Sequence, residues 1–118
     1  MTPAEIRKDT LRELRATRKD MTSAPWLLSL QKQPLEVRRD AALKLLDVQQ
    51  TILALENATL AEIRDRLVDN ETDLLEGREK LEQARAQLER VKSVLNAVGK
   101  VLEVVGKVVK FAATAGIV

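Results

Sequence analysis

Few side chains in this sequence are of the types that do chemistry. Glu62, Asp65 and Asp69 recur at helical spacing, and carboxylates on one helical face can bind a divalent cation. Arg64 and Arg66 are interleaved with them, which favours a solvated, salt-bridged face over a metal site. Ser23, Ser29 and Ser93 have no neighbouring base to turn them into nucleophiles. The 118 residues include no histidine and no cysteine. That removes the imidazole base, the commonest metal ligand, the thiol nucleophile and any disulfide frame. Gly77, Gly99, Gly106 and Gly116 stand apart from one another, so no glycine-rich phosphate loop exists. We therefore expect no enzyme, no cofactor, no metal centre and no small-molecule substrate.

What remains are surfaces for macromolecular contact. Residues 1–45 carry a net charge of +4, residues 46–90 carry −5 and residues 91–118 carry +3. That order lets the acidic middle fold against the chain's own basic ends, and it also lets two copies associate. Arg7, Lys8, Arg12, Arg15, Arg18 and Lys19 form a basic set near the start. They are mixed with acidic residues and lack interleaved aromatics, so nucleic acid is the least favoured partner.

The C-terminal stretch is the most distinctive. On a helical wheel Lys92, Asn96, Lys100, Glu103, Lys107, Lys110 and Thr114 share one narrow sector, and valines with Leu102 fill the rest. Four charges, each costing about 2.5–3.5 kcal/mol at a bilayer centre, argue against a simple spanning helix. Three settings suit so broad an apolar face. It can be the centre of a bundle, be completed by a second copy, or lie at a membrane interface. In the last, Lys100, Lys107 and Lys110 would meet anionic lipid and Phe111 would anchor. Valine loses χ1 freedom in a helix, so this segment must be held helical by burial.

These surfaces need helices to position them, and the composition supplies helix formers throughout: 45% of residues are hydrophobic, 32% charged and only 2% aromatic. Thr2-Pro3-Ala4-Glu5 is a capping pattern that opens an outer amphipathic helix within residues 1–22, with a thin stripe of Ile6, Leu11 and Leu14. Residues 23–33 form a short connector containing Trp26, either a plug at the end of a bundle or an anchor for a partner. From residue 46 onward leucine recurs every seventh position: Leu46, Leu53, Leu60, Leu67, Leu74, Leu81, Leu88, Leu95 and Leu102, with Val109 continuing the series. Such a repeat predicts coiled-coil-like packing.

The fold expected is all-α, a single helical domain over 1–118. Its centre is a long antiparallel hairpin of helices 34–69 and 71–115, turning near Asn70, with the N-terminal helix packed on one end. In that register Leu67 meets Leu74 and Leu46 meets Leu95, Glu56 faces Arg85, and Asp40 lies near Lys100. The alternative is one continuous helix of about 120 Å in an oligomeric coiled coil. The function expected is a non-enzymatic interaction or scaffold protein that binds itself or another helical protein. Its seam is Leu74, Leu81, Leu88, Leu95, Val98, Leu102, Val105 and Val109. The alternative is a membrane-active helical protein, pore-forming or membrane-associating. Met1–Asp20 is too charged for a secretory signal. The expected location is therefore cytoplasmic, with a peripheral-membrane or non-classically exported protein as the alternative.

Overall fold

Thr2 opens the first helix as its neighbours require. In the computed structural model, which describes residues 1–109, its hydroxyl accepts from the Glu5 backbone N–H at 3.2 Å, and the Glu5 carboxylate accepts from the Thr2 N–H at 3.0 Å. That bonding holds the Glu5 carboxyl below its ordinary pKa. The helix, α1, runs Pro3–Asp20. Ser23 then caps α2 (Ala24–Gln31), with Pro25 in its first turn, and α3 follows Pro34 as Leu35–Asn57. Three further helices complete the described chain: α4 (Leu60–Asp69), α5 (Glu71–Arg85) and α6 (Val91–Val109). There is no strand among the described residues.

The seven-residue leucine repeat runs through three interruptions. Ala58 is extended at φ −69°, ψ 135°, which ends α3, and the Thr59 hydroxyl accepts from the Glu62 N–H at 3.3 Å to start α4. The Ala58 carbonyl, turned out of the helix by this break, accepts from the Arg7 guanidinium at 2.8 Å. Asn70 alone separates α4 from α5, and its side chain donates to the Arg66 carbonyl at 2.8 Å. Residues 86–90 form the third interruption, a turn closed by bonds such as Gln87 N–H to the Ala84 carbonyl and Arg90 N–H to the Gln87 carbonyl.

α1 packs on α3, α3 on α6, α6 on α5, and α5 on α1, which closes a four-helix ring. α4 packs on α1, α5 and α6, and α2 packs on α3 and α6. Midway along α5, Gly77 lies so close to Val101 of α6 that a Cβ there would meet the valine methyl at 3.2 Å. The 86–90 turn thus folds α5 and α6 into a tight antiparallel pair. Lys44 of α3 sits beside Gly99 of α6 in the same way. The core is apolar and continuous from Ile6 and Leu14 of α1, through Trp26, Val48, Ile52, Leu55, Ile63 and Leu67, to Leu81 and the valine face of α6.

The all-helical expectation holds, and the long hairpin gives way to a bundle. Helix 34–69 is divided at Ala58-Thr59 and helix 71–115 at 86–90; its last residues lie outside the described region. The sharp reversal is at 86–90 and not at Asn70, where one non-helical residue is too little chain to reverse direction. A continuous helix of about 120 Å is incompatible with extents of 44 × 34 × 18 Å. α1 is not stacked on an end either. It runs along α5, with Met1 near Glu71, Asp9 near Arg78 and Asp20 on Arg85. The charge pairs expected from the hairpin register are re-partnered: Glu56 binds Arg15, Arg85 binds Glu13 and Asp20, and Asp40 binds Lys44.

Candidate interaction surface

α3 carries apolar side chains on two opposite faces. One face is core: Ala41, Val48, Ile52 and Leu55 are buried together with Thr51. On the far side Leu35, Leu43, Leu46 and Leu53 fall within one arc of the wheel and are all exposed, Leu43 to 61% and Leu53 to 58%. Lone exposed leucines are ordinary, whereas these four lie along one stripe of about 27 Å. Leu43, Leu46, Gln50, Leu53 and Asn57 have the three–four spacing of a coiled-coil seam, with Gln50 and Asn57 as its polar positions. Leu27 and Leu28 of α2 add two more exposed leucines just before α3 begins.

The seam residues named from the sequence lie mostly inside the chain. Leu74, Leu81, Leu95, Val98 and Val105 are buried, and Leu88, Leu102 and Val109 are partly buried against the same core. The structure thus gathers them in one cluster, where they join α5 and α6 to the rest of the bundle. The earlier members of the series diverge: Leu46 and Leu53 face outward on α3. Trp26 is 1% exposed and packs in the core. Lys100 and Lys107 lie with Lys92 on the exposed side of α6, opposite its buried valines. Lys110 and Phe111 lie outside the described residues.

Leu35 and Leu43 escape a heptad count that starts at residue 46. A helical wheel of α3 taken alone would have found them, because it separates the two apolar faces by about half a turn.

A polar cleft of about 380 Å³ separates α1 from α5, lined by Asp9, Arg12, Glu13, Arg78, Glu82 and Arg85. Most of its charges are paired with one another, while Glu82 is exposed. Arg78 binds Asp9 at 3.1 Å, and Arg85 binds both Glu13 and Asp20. Burial pushes the Glu13 carboxyl above its ordinary pKa, and Arg85 pulls it only part of the way back. For Arg85, hydrogen bonding to Asp20 and the charge of Glu13 outweigh burial and raise its pKa. These ion pairs join α1 to α5 across the cleft. Among the described residues no three acidic side chains converge as metal ligands, and no helix is long and apolar enough to cross a membrane.

Comparison with protein-family models, curated proteins and solved structures gave no match.

Proposed function

We propose that this chain is a non-enzymatic helical interaction protein, and that its docking face is the exposed stripe of α3. The observation carrying this reading is the second apolar face of α3, Leu35, Leu43, Leu46 and Leu53, set opposite the core face. A surface helix needs one apolar face to join its own bundle, and a second one has no use until another helix covers it. Photo-crosslinking from a benzoylphenylalanine placed at Gln50, between the leucines, tests the reading. A crosslink to a polypeptide that disappears with Leu46→Lys plus Leu53→Lys supports it. No crosslink from position 50 overturns it.

A second reading is favoured by α6. Its buried valine face and exposed Lys92, Lys100 and Lys107 have the layout of a membrane-interface helix. On this reading the bundle opens and delivers α6 to anionic lipid, making the protein a membrane-associating component. Failure to co-sediment with anionic vesicles across acidic and neutral pH removes it.

A further inference from the structure

The stripe on α3 is self-complementary in its spacing. Leu43, Leu46, Gln50 and Leu53 are separated by three, four and three residues, so the pattern reads the same in both directions. We infer that the partner of the stripe is a second copy of this chain, docked antiparallel so that Leu43 of each copy meets Leu53 of the other. This rests on the interaction reading above and names its partner. In that register Leu46 meets Gln50 of the other copy, Arg39 meets Asn57, and one two-fold axis passes beside position 48. Leucine or glutamine fills every position of the central seam, and a two-fold pair of this kind uses the same patch twice.

Charge selects the antiparallel sense. Arg38 and Arg39 are exposed near the start of α3, and Glu56, which also pairs with Arg15 of its own chain, is exposed near its end. Antiparallel docking sets both guanidiniums beside Glu56 and the negative carbonyl end of the other α3. Parallel docking would instead place Arg39 on Arg39 in the seam. One contact opposes the antiparallel pair: Asp47 flanks the axis and faces Asp47 of the second copy. Like charges there weaken the dimer, which makes it concentration-dependent.

The absence of native cysteine makes the register directly measurable. Leu43→Cys and Leu53→Cys single variants are oxidised separately and as a mixture, with Glu79→Cys on the exposed side of α5 as the collision control. The expected result is a disulfide-linked dimer in the mixture, far above either variant alone and above the control. Self-linking of Leu43→Cys at the level of the mixture would mean parallel docking and overturn the inference. So would a chain that stays monomeric by light scattering at all concentrations. In that last case a Gln50 photo-crosslink to a different protein keeps the interaction reading, while none removes that reading too. Asp47→Asn provides the second measurement, with dimer affinity expected to rise about two- to fivefold. An unchanged affinity overturns the register.

Discussion

Arg85, the last residue of α5, grips Glu13 in the middle of α1 with two guanidinium nitrogens, Nε at 2.8 Å and Nη2 at 2.7 Å. Its remaining nitrogen reaches Asp20 at 2.6 Å. One side chain thus ties two turns of α1 to the end of α5, at the point where the chain enters the 86–90 turn. Both contacts to Glu13 fall on one carboxylate oxygen, Oε2, an arrangement that a guanidinium's neighbouring N–H groups can make while its third nitrogen serves Asp20. Glu13 is 4% exposed, so its carboxylate depends on this partner.

Arg85→Gln should therefore be destabilising at neutral pH by roughly 2–3 kcal/mol, below the range for a fully buried pair because Arg85 and Asp20 retain some solvent contact. Chemical denaturation measures it. The loss should shrink in acid, where Glu13 takes up a proton and no longer needs a cation. Arg85→Lys should recover only part of the loss, since one ammonium cannot replace three guanidinium nitrogens that reach Glu13 and Asp20 together.

Glu13→Gln should behave in the opposite way. A carboxyl whose pKa is raised on folding binds its proton more tightly in the folded state. Its contribution to stability is then fully present below the unfolded value and is lost as pH climbs through the raised folded value. Glutamine mimics the protonated form and has no such loss. The variant should match the parent in acid and overtake it as pH rises, a trend read from denaturation midpoints between about pH 4 and pH 7. A variant that falls behind as pH rises would mean that Arg85 more than offsets the burial of the charge.

How far the sequence anticipates this arrangement differs from element to element. The Thr2–Glu5 capping box, the Ser23 cap before Pro25 and the burial of the α6 valines follow from local chemistry, and each is legible residue by residue. The break at Ala58-Thr59 is also written in the sequence, as the Thr59-Leu60-Ala61-Glu62 start signal, but the unbroken leucine series conceals it. The 86–90 turn has no such signal. It contains neither glycine nor proline, and Arg90 is a poor cap. Burial of Leu81, Val91 and Leu95 on both sides of it favours folding back over continuing, and that advantage exists only once the bundle is formed. The exposed leucine stripe of α3 is half visible for a related reason: Leu46 and Leu53 belong to the repeat, and only tertiary packing decides which members of a repeat face outward.

That division of one repeat between core and surface has a measurable signature. Leu81 is completely buried and Leu46 is about half exposed. Leu81→Ala should cost about 3 kcal/mol, through lost burial and the cavity left behind. Leu46→Ala should change monomer stability by no more than about 0.5 kcal/mol. Urea titrations at low protein concentration separate the two. A large loss at Leu46 would place that residue in the core and remove it from the proposed docking face.

Thr59 caps the helix that resumes the leucine series after the break at Ala58. Its hydroxyl satisfies the Glu62 N–H at 3.3 Å, and its carbonyl accepts from the Glu62 and Ile63 N–H groups at 3.1 and 3.3 Å. Thr59→Ala removes the side-chain acceptor and should cost about 1 kcal/mol. Arg7 would still hold the Ala58 carbonyl, and Ile63 and Leu67 would still be buried, so the break should persist and only the first turn of α4 should fray. Amide exchange should accordingly speed up at Glu62 while Leu67 stays protected. Slower exchange across residues 57–62 would mean instead that α3 and α4 had fused, with the cap and not the packing holding them apart.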